Sequence, residues 1–424
     1  MLGASAARHL ADAGCDVVLV GAAEPVERGS RAGPGGGRLD DNPAIHADQG
    51  PPVYASHYDV ARVSRIIDPD PTRAWLGHRS VDQFAAVAAR TGVTAVNPVG
   101  HLWVEAPDGI DLVAASDQRF DLGSVRQSAA EAMGAFPYLS LGGGLGPDGL
   151  DSLWEPPPAG SVDPRAYVAA EMAAAVGAGS THVVALVDSV TEVDGQVEVV
   201  TDAGTITADR VLLATGAFSG HGTTPVSGSV SGLTASDLEM ARELDLEYAL
   251  HTQLLVHLDA EEVNRLAGMP SIIGKFADPI DDFYLTPPVP DLRPGVGDRH
   301  ILKVGMPKDD HVCATSGELA AWFRTAGDPT VAARLAGILA RLLPGLRDGG
   351  RWTSSCVTTY TPSGFPFIDQ LGDRVKGRTY CAIGGNGFAA KCAPALGELA
   401  AGLILGHDWP TEVDRELFLA RFRD

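Results

Sequence analysis

The feature that most constrains the fold is the opening stretch of the chain, MLGASAARHLADAGCDVVLVGAAEP. Its pattern predicts a helix over Leu2–Ala13, a turn at Gly14 and an apolar strand over Val17–Val20. A helix followed by such a strand is the second half of a βαβ unit, which normally begins with a strand and a glycine-rich turn. We therefore expect the first strand and the first glycines of the unit to be missing, as after a start assigned to an internal methionine.

Composition and charge exclude several classes of protein. The 424 residues include 32 basic and 54 acidic ones, for a formal net charge of -22. Nucleic acid and anionic membranes need a basic face, so neither is expected as a partner. No apolar run has the length of a transmembrane helix, and charged residues interrupt any signal peptide. Five cysteines without a CxxC pair fit a reducing cytoplasm, and the length favours two domains. The oligomeric state is left open.

Strand and helix patterns alternate along the chain. Residues 26–55 are rich in glycine, proline and aspartate and predict a long loop. Helices are predicted over 79–91, 164–178 and 329–343. Strands are predicted in the stretches HVVALVDSV, QVEVVTD, TITADRVLLATGAF, HTQLLVHLD, DDFYLTPP and HILKVGM. The stretch RTYCAIGGNGFAAKCAPALGELAAGLILG predicts a strand, a glycine-rich turn and an apolar helix.

Two glycine-containing turns favour a flavin or dinucleotide site. The turn Thr215–Ala217 follows an apolar strand, and Gly384–Gly387 precedes a long helix. Backbone N–H groups at the start of a helix can hold a phosphate or the anionic edge of a reduced flavin. Either turn alone is as readily a tight structural turn. Together with the opening stretch, they favour a flavoprotein.

With these turns, the chain resembles the monomeric sarcosine oxidase family, among the D-amino-acid-oxidase-like flavoproteins. The resemblance runs nearly from end to end, through MLGASAARHL, SHYDVARVSR (56–65), HILKVGM (300–306), CVTTYTPSGFPFID (356–369) and GGNGFAAKCAPALGEL (384–399). It implies an α/β fold with a discontinuous Rossmann-like FAD-binding domain over 1–95, 155–225 and 355–424. The remaining segments, 96–154 and 226–354, are expected to form an inserted α+β substrate-binding domain built on an antiparallel sheet.

The resemblance assigns roles to two reactive side chains. Cys356 matches a family cysteine that forms a thioether to the 8α carbon of the flavin, a role that suits a nucleophilic thiolate. The alternative is a buried structural cysteine. Lys303 matches a lysine that lies over the flavin and activates oxygen, since a fixed cation stabilises superoxide in a dry site. The alternative is a lysine that points to solvent from an alternating strand.

The resemblance also implies the remaining contacts of the site. Arg62 matches an arginine near the flavin, and Arg65 matches one that binds the substrate carboxylate through two parallel hydrogen bonds. Both arginines would otherwise lie on a solvated face. Tyr284 matches a substrate-site tyrosine. Cofactor contacts besides Cys356 are expected from Gly3, Glu24, Ser56, His57, Val187, Ala214, Gly216, Gly385, Asn386, Gly387 and Phe388; no metal site is expected.

Three departures from the family pattern bear on the substrate. Gly21 stands where the family has the acidic residue that holds the ribose. The acidic residue that could contact the ribose instead is Glu24, three positions later. Ala389 stands where the family has a second carboxylate-binding lysine. We do not expect Lys391 to replace it, because residues two apart on a helix do not share a face. Asn386 replaces a histidine. A bulkier secondary amine than sarcosine, or one with its acid group placed differently, is therefore favoured.

The predicted function is that of an FAD-dependent oxidase of a secondary amine or amino acid. The C–H bond next to nitrogen would pass a hydride to flavin N5, giving an imine that water hydrolyses. Oxygen would then reoxidise the flavin near Lys303 and yield hydrogen peroxide. The expected partners are thus a small amine and O₂. The alternatives are a dehydrogenase with a non-oxygen acceptor, and a truncated, non-catalytic fragment of such a flavoprotein.

Overall fold

The computed structural model describes residues 1–21, 55, 57–141, 149–219, 244–276, 282–291, 298–305, 312–313, 316–371 and 377–423. The loop predicted over residues 26–55 lies outside them except for residue 55, and so do Glu24 and Ser56. None of the helices in this part of the chain is long and apolar enough to cross a membrane.

The helices and strands of the described residues alternate along most of the chain. The helices are α1 Leu2–Asp12, α2 Pro71–Thr91, α3 Pro107–Phe120, α4 Ala129–Ala135, α5 Pro164–Gly177, α6 Ala260–Arg265, α7 Ser316–Trp322, α8 Pro329–Leu342 and α9 Ala389–Leu405. The strands are β1 Val18–Gly21, β2 Arg62–Ser64, β3 Val96–Asn97, β4 His101–Glu105, β5 Val125–Ser128, β6 Asp151–Glu155, β7 Gly160–Val162, β8 Thr181–Val184, β9 Val187–Val193, β10 Gln196–Thr201, β11 Gly204–Ala208, β12 Val211–Leu213, β13 Glu247–Leu258, β14 Ser271–Gly274, β15 Phe283–Pro290, β16 His300–Gly305, β17 Val312–Cys313, β18 Arg351–Tyr360, β19 Phe367–Gln370 and β20 Thr379–Ile383.

Aspartate–proline pairs set the starts of three long helices. The Asp70 side chain accepts hydrogen bonds from two backbone N–H groups in the first turn of α2, and Pro71 occupies the first turn. Asp163 and Asp328 cap α5 and α8 in the same way, which confirms the predicted starts of these helices at 164 and 329. The helix predicted over 79–91 was too short, since its cap places the start of α2 at Pro71.

Two small sheets contain the parallel strands β1 and β8, and β12 and β20. β1 pairs in parallel with β8 only, while β12 pairs in parallel with β20, which pairs with β19 in an antiparallel sense. Among the described residues, no strand joins the two sheets. The apolar end of the predicted strand TITADRVLLATGAF forms β12, which pairs in parallel with β20, whereas the expected upstream strand stays a prediction.

Helix α1 packs between α5 and α9. The Ser5 hydroxyl donates to the carbonyl oxygen of Pro394 at 3.3 Å. A Cβ atom on Gly397 would lie 2.4 Å from the Ser5 side chain, so only glycine allows α1 and α9 to approach this closely. On the other side, buried Arg8 pairs with buried Glu171 of α5. Helix α1 is therefore fixed against α9, the helix that follows the Gly384–Gly387 turn.

The largest sheet has the strand order β17-β13-β16-β15-β14-β4-β6-β5, and β18 also pairs with β13. One face packs against α8, where Leu335, Ile338 and Leu339 are buried against strand residues such as Val256 and Val304. Burying these aliphatic side chains stabilises the sheet by about 1.5–3 kcal/mol each. β13 thus joins the sheet core to β18, the strand that carries Cys356.

This sheet is built on antiparallel pairs, as predicted, and contains one parallel pair in addition. β4 and β14 pair in parallel, with His101 opposite Ser271. Only strands joined by a short hairpin must run antiparallel, and these two strands lie far apart in the chain. The predicted domain boundary between residues 154 and 155 falls inside β6, and the boundary between residues 354 and 355 falls inside β18. Both strands belong to this sheet. The division into two domains itself stays a prediction.

Candidate functional site

A cavity of about 750 Å³ lies where the large sheet meets the two glycine turns. Cavities that bind small molecules and cofactors span roughly 300–1,000 Å³. The predicted site residues that line this cavity are Arg62, Arg65, Ala214, Gly216, Tyr284, Cys356, Gly385, Asn386, Gly387 and Phe388. Residues separated by more than 300 positions in the chain thus meet at one place.

The glycine turn before α9 forms one wall of the cavity. Its backbone has positive φ at Gly384 (+93°), Asn386 (+46°) and Gly387 (+75°). The Asn386 amide accepts from Thr361 N and donates to Gly384 O, both at 2.9 Å. A Cβ atom on Gly384 would lie 2.5 Å from the Thr361 methyl group. The turn is therefore fixed to the end of β18, and the Asn386 side chain holds the loop rather than reaching into the cavity.

The loop after β12 and the first residues of α1 form another wall. Met1, Leu2, Ala214 and Gly216 all line the cavity. A Cβ atom on Gly3 would lie 2.8 Å from that of Ala214, so Gly3 acts by allowing close packing. The start of a helix concentrates backbone N–H groups that attract anions. This wall suits a phosphate group.

Cys356 lies in the middle of β18 and faces the cavity. The Gln253 amide donates to its Sγ at 3.3 Å, and Trp322 Nε1 donates to its carbonyl oxygen at 2.9 Å. Burial raises the pKa of the Cys356 thiol to about 11, although the charge of nearby Arg62 opposes this. The free side chain is therefore a protonated thiol at neutral pH, not the thiolate expected from the sequence.

A buried charge cluster lies behind this part of the wall. Asp59 Oδ2 accepts from Lys303 Nζ at 2.8 Å and from Arg62 Nε at 2.9 Å. Lys303 also donates to Ala61 O. Lys303 is 0% exposed and does not line the cavity, which excludes the alternative that it points to solvent. The cluster holds one net positive charge.

Burial and charge shift the pKa values of this cluster. Burial alone would raise the pKa of Asp59, but Arg62 and Lys303 lower it to about 2. Burial lowers the pKa of Lys303, and the Asp59 carboxylate limits that shift. Asp59 and Lys303 therefore favour each other's ionised form, while Arg62 stays charged in any case. Asp59 was not identified from the sequence, although its position three residues before Arg62 could have indicated an ion pair.

Tyr284 projects into the cavity from β15. Its hydroxyl accepts a hydrogen bond from Gln253 Nε2 at 3.1 Å, and its ring centre is 5.6 Å from Lys303 Nζ. A Cβ atom on Gly305 would lie 2.3 Å from the Tyr284 hydroxyl, so glycine is required on the neighbouring strand. Burial raises the pKa of Tyr284 well above its ordinary value, which keeps the phenol protonated. Gln253, also missed in the sequence, links Tyr284 to Cys356.

A second cluster surrounds Arg65. Arg65 Nη1 donates to Asp68 Oδ2 at 2.6 Å, and its guanidinium lies 4.7 Å from the centre of the Trp103 ring. Lys391 Nζ donates to the same Asp68 oxygen at 2.8 Å. Lys391 and Asp68 hold these positions while almost fully buried, and both line the cavity. The cluster again carries one net positive charge.

Lys391 lines the cavity, although it was not expected to take the role of the family's second lysine. The cavity lies at the start of α9, and Ala389, Ala390 and Lys391 all line it. Successive residues of a first turn surround the end of the helix, so the rule for faces along a helix does not apply there. Burial would raise the pKa of Asp68, but Lys391 and Arg65 hold it well below its usual range.

Glu155 fixes the segment that carries Arg65. Its buried carboxylate accepts from the backbone N–H groups of Ile66 at 2.9 Å and Ile67 at 3.2 Å. Burial raises the pKa of Glu155 to about 7, and the two N–H donors limit the shift. This residue positions the loop after β2 and was not identified in the sequence.

The other predicted contacts lie beside the cavity rather than in its wall. His57 is buried, with its ring edge-on to that of Tyr58 at 4.7 Å. Val187 is half-buried at the start of β9. Neither of these residues lines the cavity, and neither do Gly3 and Lys303. Their roles stay predictions, as do those of Glu24 and Ser56, which lie outside the described residues.

The chain matches the model of the FAD dependent oxidoreductase (DAO) family over residues 1–403. It belongs to this family. The predicted resemblance is thus confirmed at that level, together with an α/β fold that has FAD-binding and substrate-binding parts. No curated protein matches this member of the family in sequence.

Several solved structures share the fold of this FAD dependent oxidoreductase. One is NikD, an unusual amino acid oxidase essential for nikkomycin biosynthesis, with 18% identity, a TM-score of 0.66, and coverage of 99% of this chain and 95% of that chain. L-proline dehydrogenase from P. horikoshii has 16% identity and a TM-score of 0.64, covering 96% and 91%. Glycine oxidase from Bacillus cereus has 16% identity and a TM-score of 0.62, covering 100% and 96%. At these identities the similarity concerns the fold.

The residues of the cavity fit FAD, the cofactor of the family. The turn Gly384–Gly387 leaves no room for a Cβ atom at Gly384 and presents backbone groups at the start of α9. Gly216 and the first turn of α1 form a second backbone-lined wall, and Cys356 lies in the same cavity. Together these features suit a ligand with an anionic pyrophosphate and a polar ring edge.

Proposed function

We propose that this chain is an FAD-dependent oxidase of an amino acid or of a secondary amine that carries an acidic group. The observation that carries the proposal is the net positive cluster of Arg65, Asp68 and Lys391 in the wall of the cofactor cavity. A buried excess charge favours a ligand of opposite sign. A carboxylate fits best, because the arginine fork offers it two parallel hydrogen bonds.

The names of proteins with this fold support the same substrate class. They include an amino acid oxidase, a glycine oxidase, an L-proline dehydrogenase and an iminodiacetate oxidase. Each of these names refers to a compound with an amine and a carboxylate. A cavity that combines a flavin site with a cationic cluster suits such compounds.

Different residues of the chain bind the cofactor and the substrate. FAD, when bound, supplies the two-electron oxidation of the carbon next to nitrogen. The Gly384–Gly387 turn and the first turn of α1 hold it, Arg65 and Lys391 bind the substrate carboxylate, and the protonated Tyr284 hydroxyl lines the substrate side. Trp103 lies against the Arg65 guanidinium, with its ring centre at 4.7 Å, and helps to hold its position.

The cluster around Asp59 supports oxygen as the electron acceptor. Lys303 and Arg62 share one carboxylate, so the cluster places one net positive charge beside the cavity. Superoxide is an anion, and a fixed cation in a water-poor site stabilises its formation. The buried position of Lys303 is costly without such a use.

One observation favours a second candidate, a dehydrogenase with a non-oxygen acceptor. Lys303 does not line the cavity, and its ammonium group donates to Asp59 and to Ala61 O. A cation whose hydrogen bonds are used within the protein stabilises an arriving anion less. Such a protein would pass its electrons to a quinone or another carrier.

Two kinetic measurements on the flavin-loaded protein test the proposal. Anaerobic mixing with amino acids and secondary amines should bleach the flavin absorbance, and air should then restore it with formation of peroxide. Slow recovery in air but fast recovery with an artificial acceptor would indicate the dehydrogenase. Lys303→Met should slow reoxidation by oxygen about 10²–10³-fold. The proposal fails if no amine bleaches the flavin.

A matched pair of variants tests the carboxylate cluster. Arg65→Met should raise KM for an amino acid far more than for its amide. Arg79→Gln is the control, because Arg79 is 54% exposed and pairs with Glu398 on the outer side of α2. An equal effect of Arg65→Met on acid and amide would contradict the assigned role.

A further inference from the structure

Arg73 is a cation in the cavity wall that no carboxylate neutralises among the described residues. The other cations discussed above have such partners: Arg62 pairs with Asp59, and Arg65 and Lys391 share Asp68. The contacts of the Arg73 guanidinium are instead a backbone carbonyl and two aromatic rings. A half-buried arginine without a counter-ion calls for an anionic ligand.

The position of Arg73 is fixed by its neighbours. It lies in the first turn of α2, where its N–H donates to the Asp70 cap at 2.9 Å. Its carbonyl oxygen accepts from Cys392 Sγ at 3.7 Å, next to Lys391 in α9. Arg73 and the Arg65 cluster therefore face the same cavity from adjacent chain segments.

The orientation of the guanidinium suits a planar anion. Its centre lies 4.8 Å from the Phe388 ring and 5.4 Å from the Phe365 ring, and Nη2 donates to Gly364 O at 3.3 Å. Nε is buried and has no hydrogen-bond acceptor among the described residues. Stacking fixes the plane of the guanidinium and leaves Nη1, which donates to no acceptor among the described residues, as the donor that can reach a carboxylate in the cavity.

We propose that Arg73 binds a second carboxylate of the substrate, so that the preferred substrates are amino or imino dicarboxylic acids. One carboxylate binds at Arg65 and Lys391, and the other binds at Arg73. The inference rests on the proposed function, because it extends the substrate that the function names. It assigns Arg73 a role in specificity that the resemblance does not give it.

Calorimetric titration of the flavin-loaded protein, with the flavin already reduced and oxygen excluded, tests the proposal. The probes are N-methyl-L-aspartate and N-methyl-L-asparagine, which differ only in the charge of one side-chain group. The wild type should bind the diacid about 10- to 100-fold more tightly. Arg73→Gln should abolish this preference without changing the affinity for the amide, and Arg73→Lys should keep part of it. Arg79→Gln, on the outer side of the same helix, should behave as the wild type.

The outcomes separate the subsite from other roles of Arg73. A wild type without preference for the diacid overturns the proposal, whether or not Arg73→Gln folds. Equal loss of both ligands, or an altered flavin absorbance spectrum with the preference intact, would make Arg73 a structural or cofactor contact instead. Because binding is measured without turnover, Arg73-dependent diacid binding with no amine oxidised would refute the proposed function alone. Oxidation of amino acids by a wild type that binds the diacid and the amide equally well would refute the subsite alone.

Discussion

Asp59 offers the sharpest test of the charge clusters, because it is the only acceptor that Lys303 and Arg62 share in the described residues. Asp59→Asn leaves two cations beside a neutral amide, with Lys303 fully buried. The pKa of Asp59 falls from 3.8 to about 2 in the folded protein, a preference for the ionised form of about 2 kcal/mol. Removing one partner from a buried ion pair costs about 3–5 kcal/mol. We expect a loss of about 2–5 kcal/mol in the free energy of unfolding at pH 6.

The loss should shrink as the pH rises. Burial lowers the pKa of Lys303, and Asp59 is the group that raises it, so Asp59→Asn lowers the folded-state pKa further. A lysine whose folded pKa lies below its unfolded value binds fewer protons in the folded state between the two pKa values. Stability then increases with pH across that window. The deficit of Asp59→Asn relative to the wild type should therefore be smaller at pH 9 than at pH 6.

Urea unfolding at pH 6, 7.5 and 9, followed by tryptophan fluorescence, measures both effects. Asp111→Asn is the control, since Asp111 and Arg126 form an ion pair with side chains 65% and 41% exposed, and an exposed pair contributes less than about 1 kcal/mol. Adding Lys303→Met to Asp59→Asn should restore part of the stability, because it removes the uncompensated buried charge. A deficit below 1 kcal/mol at pH 6, or an equal deficit at pH 6 and 9, would refute the reasoning.

Three further predictions concern the cofactor and the loop after β2. Cys356→Ser should release the flavin into the supernatant on acid precipitation. The rate of flavin attachment in the wild type should increase as the pH rises towards the thiol pKa of about 11. Flavin colour that stays in the variant's pellet would exclude Cys356 as the link. Gly384→Ala places a Cβ atom 2.5 Å from Thr361 at a φ of +93°. This variant should weaken flavin binding about tenfold in a fluorescence titration. The control Gly402→Ala in α9 should leave flavin binding unchanged. The pKa of Glu155 is raised from 4.5 to about 7, so this group lowers stability as pH rises between these values. Glu155→Gln should flatten that part of the pH profile of unfolding, and an unchanged slope would show that another group causes it.

Local signals made several elements predictable. Helices α5 and α8 begin at Pro164 and Pro329, as predicted, because their aspartate caps and proline residues act within one turn. The stretch HVVALVDSV was predicted as one strand but forms β8 and β9. Leu186 N donates to the Asp202 side chain at 2.8 Å at the break. Such a contact depends on a turn 16 residues away, which periodicity cannot show.

The candidate site was predictable where a motif carried it. The glycine turn, Cys356 and Tyr284 line one cavity, as the resemblance implied. The acidic partners Asp59 and Asp68 were missed, since an aspartate in a loop is usually solvated. Their importance comes only from cations brought to them by the fold.

The ion pair between Asp68 and Lys391 joins residues 323 positions apart in the chain. Contacts of such high sequence separation close large loops and form late in folding, because the entropy of closure must be overcome first. Intermediates with native secondary structure would therefore hold Arg65 and Lys391 apart. Ligand binding during refolding should appear with the slowest kinetic phase, well after the helical signal has recovered. The complete cationic site therefore exists only in a molecule whose distant segments have already come into contact.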